Sequence, residues 1–235
     1  MKENGFIRCL YGTYDTSPRL KKIDNDINRV INGEYKHPFV TYVFGENNYK
    51  MLTDKGLEVK LVDKNPMPFK LKDGGHTYRN KMELIKIAME DYKELIYLDW
   101  DCYQMTQIPD NMWEELRQRE FIQGCFQMYR RRQVSWRQDN QRVLLNGGLM
   151  YIGWGDIIKQ ACELYDKEFT DNASDEPAYS KLIDEINKGK GGFNREEYLK
   201  RYEIKFGVLY KNSIYTKEEL DFKQVIFRHV QGRGK

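Results

Sequence analysis

The sequence predicts an α/β protein with a mainly parallel central sheet flanked by helices, in one domain over residues 1–235. Three observations predict it. Strand-length apolar runs alternate with helical periodicity through about residue 100, which is the pattern of a parallel sheet covered by helices. The run Leu95-Ile96-Tyr97-Leu98 is apolar at every position, as a strand buried on both faces must be. Composition agrees: 32% of residues are charged and 40% hydrophobic, which fits a globular chain and neither a disordered nor a membrane one.

Residues 6–11 are predicted as the first strand and 12–18 as a loop. A helix over 19–32 follows from Leu20, Ile23, Ile27, Val30 and Ile31 at helical spacing. Residues 38–44 read as the second strand, 47–54 as a short helix ending at Gly56, and 58–62 as the third strand. A loop with Pro66, Pro68 and Gly74-Gly75 covers 64–76. Next comes a helix over 78–92, with Thr77 as N-cap and Met82, Ile85, Met89 and Tyr92 on one stripe. The fourth strand ends at Asp99.

The second half is less regular. Helices are expected at 110–118, 154–168, 175–188 and 194–203. Strands are expected at 120–128, at 143–152 with glycines interrupting it, and in short pieces at 206–210 and 223–228.

Composition also excludes. A net charge of +3 is too small to imply nucleic-acid binding, so no nucleic-acid partner is expected. The cysteines (Cys9, Cys102, Cys125 and Cys162) form no CxxC pair, which argues against zinc, and reduced, mostly buried thiols are expected. Residues 1–5 have no apolar signal-peptide core, and no stretch is long enough to cross a bilayer. A cytoplasmic location is therefore expected, in a host's cytoplasm if the source is viral. The 17 tyrosines suit a cleft that stacks on rings or sugars.

Asp99-Trp100-Asp101 is the most informative chemistry. Two carboxylates at the carboxyl end of a buried strand stand where open α/β sheets bind ligands. Hard oxygen donors of this kind suit Mg²⁺ or Mn²⁺ holding a diphosphate, unless they are solvated loop acids. Asn146-Gly147-Gly148 marks either close backbone approach or a bulge. Asp175-Glu176-Pro177 after Ser174 is either a capped helix start or a carboxylate presented to a reacting sugar. His229-x-x-Gly232-x-x-Lys235 offers an imidazole for a metal, a glycine for close approach to phosphate and a cation. Residues 129–137 mix cations with aromatics and read as a solvated edge or a polyanion grip.

Together these motifs resemble GT-A glycosyltransferases, the nucleotide-sugar enzymes with a DxD motif and a Rossmann-like sheet. The resemblance runs over most of the chain and is strongest to the retaining branches, including the glycogenin and bacterial galactosyltransferase-like families. It implies a nucleotide-binding half over about 1–103 and an acceptor-binding half over about 104–235. It implies that Tyr11, Gly12 and Thr13 hold the nucleotide, and that Asp99, Trp100 and Asp101 hold the metal and diphosphate. It assigns His229 to the metal, Gly232 and Lys235 to phosphate, and Arg79 and Lys81 to the donor phosphates or sugar. Asn146, Gly147 and Gly148 would line the sugar and acceptor pocket, with Glu176 or Asp175 beside the anomeric carbon. A UDP-sugar is the expected donor and a GDP-sugar the second choice. The acceptor would be a glycan or other hydroxyl, with Mn²⁺ or Mg²⁺ as cofactor. Two departures stand out. Trp100 replaces the usual small residue, and no Pro-Trp follows Lys235.

The acidic pair also admits a haloacid dehalogenase-type phosphatase, which usually carries it on the first strand, or a nucleotidyltransferase. A nucleic-acid-binding module would use 129–137.

Overall fold

In a computed structural model of the chain, β1 (Lys2–Leu10), β2 (Phe39–Phe44), β3 (Val59–Asp63) and β4 (Tyr92–Leu98) are parallel, in the order β3-β2-β1-β4. Residues 1–12, 20–69, 78–128, 143–169, 174–187, 195–209 and 226–229 are described. Two antiparallel pairings extend the sheet to six strands. β7 (Val143–Ile152) lies beside β4, and β6 (Ile122–Met128) beside β7. A second sheet has the order β5-β9-β8, built from β5 (Cys102–Gln104), β8 (Gly207–Leu209) and β9 (Phe227–His229). The helices are α1 (Leu20–Ile31), α2 (Glu46–Asp54), α3 (Arg79–Ala88), α4 (Met112–Arg117), α5 (Gly155–Glu168), α6 (Glu176–Asn187) and α7 (Arg195–Tyr202).

The expected mainly parallel α/β sheet is present. Alternation along β4 explains its uniform apolarity. Leu95 and Tyr97 pack with α3, α5 and α6 on one face, while Ile96 and Leu98 pack with α4 and the small sheet on the other. The tyrosines serve this core more than a cleft, since Tyr42, Tyr97, Tyr165, Tyr179 and Tyr198 are all fully buried. All four cysteines are buried and free.

Several local expectations are corrected. Tyr92 begins β4 and does not end the preceding helix, because Glu90 and Asp91 turn the chain through bonds to Ile87 O and Ala88 O. That helix starts at Arg79 with Tyr78 at its cap and no side-chain cap bond, and Thr77 lies outside the described residues. β5 was not anticipated, since three residues carry no periodicity. The Ser174 hydroxyl donates to Glu176 Oε2 at 3.0 Å, at the start of α6.

Glycines in β7 do both things expected of them. Phe126 and Gly124 on β6 pair with Leu145 and Met150 on β7, so β7 carries extra residues between these pairs. Asn146, Gly147 and Gly148 occupy that bulge. Among the described residues, no helix is long and apolar enough to cross a membrane.

Candidate active site

From β1 the chain reaches β2 on one side of the sheet, and from β3 it returns to β4 on the other. The crevice for a ligand therefore opens at the carboxyl ends of β1 and β4. Tyr11 and Gly12 follow β1 there, and Asp99-Trp100-Asp101 follow β4. Gly12 adopts φ 86°, a left-handed conformation that favours glycine. Its N–H donates to Pro66 O at 2.7 Å, and its carbonyl accepts from Asn48 Nδ2 at 2.8 Å. Thr13 lies outside the described residues.

A turn carries the acidic pair. Asp99 N–H donates to Gly148 O at 2.7 Å, and Cys102 N–H donates back to Asp99 O at 2.9 Å. The Tyr97 hydroxyl donates to the Asp99 carboxylate. Trp100 folds back onto β1, and its indole N–H donates to Cys9 O at 2.8 Å. A side chain at this position therefore anchors the turn across the switch point.

His229 reaches the turn because β9 pairs with β5, placing it opposite Cys102. Its ring lies directly on Gly148, where a Cβ would stand 2.1 Å from His229 Cε1. Hydrogen bonding assigns the tautomer. Asn146 Nδ2 donates to Glu176 Oε1 at 2.8 Å, so Asn146 Oδ1 is the acceptor for Gly148 N–H at 2.9 Å and for His229 Nδ1–H at 2.8 Å. His229 Nε2 then lies 3.0 Å from Asp101 Oδ1 and 3.9 Å from Asp99 Oδ2. Lone pairs facing one another at this distance repel unless a cation or proton lies among them. Imidazole and carboxylate donors fit Mn²⁺, and fit Mg²⁺ less well. Cys102 Sγ lies in the same cluster, but its thiol donates to Gly148 O at 3.0 Å. Burial pushes that thiol's pKa far up, so it stays neutral and adds no thiolate.

On the other side of β7, Lys81 and Asp175 form an ion pair of 2.7 Å with side chains 3% and 2% exposed. Lys81 Nζ also donates to Gly147 O at 3.0 Å. A Cβ on Gly147 would stand 2.6 Å from Asp175 Oδ2, so only glycine leaves room for the pair. Burial opposes the Lys81 charge, yet Asp175 and Asp99 hold its pKa well above the ordinary value. Burial raises the Asp175 carboxyl against the pull of Lys81.

Glu176 sits among neutral donors. Gln127 Nε2 donates to Oε1 at 2.5 Å, beside the bond from Asn146. Burial raises its carboxyl to about 7, with Lys81, Gln127, the Gly147 N–H and His229 holding it back from rising further. A bonded path thus runs from Glu176 through Asn146 and His229 to Asp101.

Arg79 is placed elsewhere. Its guanidinium meets Asp166 at 2.9 Å and Glu83 at 2.7 Å, tying α3 to α5. Gly232, Lys235 and residues 129–137 lie outside the described residues.

No protein-family model matches the sequence, and no curated relative does. Solved structures do match. The galactosyltransferase LgtC, in complex with donor and acceptor sugar analogues, is 14% identical with TM-score 0.58, over 99% of this chain and 88% of that one. Mouse xyloside xylosyltransferase 1 is 11% identical with TM-score 0.50, over 97% of each chain. The bifunctional glycosyltransferase WbbM is 9% identical with TM-score 0.53, over all of this chain and 46% of its own. The chain has the GT-A glycosyltransferase fold.

Within that GT-A fold the acidic pair ends the fourth strand, away from the first-strand position of a phosphatase pair. The roles of three contributors escaped the sequence reading. Tyr97 and Ser174 orient carboxylates, and no pattern marks a hydroxyl for that task. Gln127 was legible in principle, because an amide within an apolar strand must find a partner once buried.

Proposed function

We propose that the chain is a metal-dependent glycosyltransferase. It moves a sugar from a nucleotide-sugar donor, a UDP-sugar first and a GDP-sugar second, to a hydroxyl of a glycan or other acceptor, with retention. The observation that carries this reading is the convergence of His229 Nε2 with Asp101 and Asp99 at the carboxyl ends of β1 and β4. The GT-A fold supports it.

A divalent cation held by Asp99, Asp101 and His229, Mn²⁺ or Mg²⁺, would neutralise charge developing on the leaving diphosphate. The chain's own residues do the rest. Tyr11 and Gly12 at the end of β1, with Thr13 by sequence, would border the nucleotide, and Trp100 fixes the turn to β1. Gly232 and Lys235, assigned from the sequence alone, would bind the diphosphate, Lys235 as a point charge. Asn146, Gly147 and Gly148 shape the floor under the sugar. Glu176 stands beside the anomeric carbon, as transient nucleophile or as the charge that stabilises an oxocarbenium-like transition state. Its carboxyl near 7 leaves a substantial ionised fraction at neutral pH for either role. Asp175 balances Lys81, whose charge reaches both Asp175 and Asp99. On this reading residues 1–103 form the donor half and the remainder the acceptor half, in a cytoplasmic enzyme.

A thermal-shift panel of UDP- and GDP-sugars, with and without Mn²⁺, tests the proposal. Stabilisation by one nucleotide that requires Mn²⁺ is expected. A folded sample that responds to no nucleotide under any condition would overturn it.

A further inference from the structure

Arg8 on β1 is 1% exposed, and its guanidinium pairs with Asp26 of α1, which is 0% exposed. Nη2 donates to Cys102 O at 3.4 Å. The guanidinium carbon also lies 5.1 Å from the centroid of the Trp100 ring and 4.4 Å from that of Phe39. The Tyr35 hydroxyl lies 2.8 Å from Asp26 Oδ1 and 3.0 Å from Cys102 O, and shares its one proton between them.

A buried ion pair is weak evidence of a stabilising role, because an apolar pair of similar volume is often as stable. An apolar pair cannot donate to the Cys102 carbonyl. Cys102 is where the site is tied together. Its N–H holds Asp99 O, its thiol holds Gly148 O, and in the β5–β9 pairing it stands opposite His229. Its carbonyl is the remaining handle, and Arg8 and Tyr35 take it. Trp100, between the two acids, is held from one side by Cys9 O and faces Arg8.

We propose that Arg8, held by Asp26 and Tyr35, is a positioning residue for the donor site: it fixes Cys102 and Trp100 and thereby sets Asp99 and Asp101 against His229. The proposal rests on the metal-donor reading given above. An outer-shell group of this kind tunes metal affinity while touching neither metal nor substrate.

The test is Mn²⁺ affinity, read from the loss of the free-ion EPR signal, alongside unfolding curves. In the Arg8→Met/Asp26→Leu double variant both charges are removed and the packing is kept. It is expected to unfold at or near the wild-type midpoint while binding Mn²⁺ about 10-fold more weakly or worse. Tyr35→Phe removes one hydroxyl, leaves the fold in place, and is expected to weaken Mn²⁺ binding by a few-fold. A folded double variant with wild-type affinity would overturn the proposal, since a purely structural pair predicts that result. If the double variant does not fold, Tyr35→Phe decides in the same way, and wild-type affinity there overturns it. A wild-type protein that takes up no Mn²⁺ removes the donor-site reading first, and this proposal with it.

Discussion

Gly147 and Gly148 are neighbours in β7 and open onto different chemistry. The absent Cβ of Gly147 makes room for Lys81 and Asp175, and that of Gly148 makes room for the His229 ring. On the first side a cation and a carboxylate balance one another out of water. On the second, an imidazole nitrogen faces two carboxylates, 3.0 Å from Asp101 Oδ1 and 3.9 Å from Asp99 Oδ2. The sealed side holds its charge inside the fold. The open side gathers an imidazole and two carboxylates, the donor set to which the proposed function assigns a cation. One bulge in one strand separates a structural device from a site.

Breaking the sealed side is expected to give the largest effect. Lys81→Met strands Asp175 in the core and is predicted to cost about 3–5 kcal/mol of stability. Urea unfolding at neutral pH measures the loss, and Lys81→Met/Asp175→Leu should recover most of it. Failure of the double variant to recover would assign the pair a function beyond charge balance.

Breaking the open side comes next. Gly148→Ala forces His229 off its seat and is predicted to weaken Mn²⁺ binding by about 100-fold, the upper range for disturbing a ligand's support. Unchanged affinity, measured by EPR titration, would detach His229 from the metal.

Glu176 sharpens the comparison through pH. Its carboxyl is raised from 4.5 to about 7 in the fold, so folding favours the protonated form. The resulting stability is fully present below about pH 4.5 and is lost as pH rises through 7. After allowance for partial exposure, the wild type should lose about 2 kcal/mol across this window relative to Glu176→Gln. Parallel stability profiles for the two proteins would refute the assignment.

The smallest effect is expected at Trp100→Phe, which keeps a ring beside Arg8 and loses the bond to Cys9 O. About 1 kcal/mol is predicted, and chemical denaturation resolves it.

Much of this comparison was legible in the sequence because its sources are local. Apolar periodicity marked β1 to β4 and the main helices, Asp99, Asp101 and His229 stood out as candidate metal ligands, and Asn146-Gly147-Gly148 as a close approach or a bulge. What stayed hidden depends on pairing between distant segments. β5 is three residues long and meets β9 more than a hundred residues away, and that pairing is what delivers His229 to Asp101. Arg79 and Lys81 looked equivalent on one helix. Packing sent Arg79 to Asp166 on α5 and Lys81 to Asp175 at the start of α6. No spacing rule distinguishes those fates. Trp100 looked like a departure from a motif until its indole was seen to bond β1.

The central claim is that the open side of β7 presents an imidazole nitrogen to a metal. Electron spin-echo spectroscopy of Mn²⁺ bound to the protein tests this most directly, by detecting nitrogen-14 coupled to the ion. The account predicts a coupled nitrogen in the wild type that vanishes in His229→Gln. Bound Mn²⁺ with no coupled nitrogen, or a coupling that survives in His229→Gln, would contradict it.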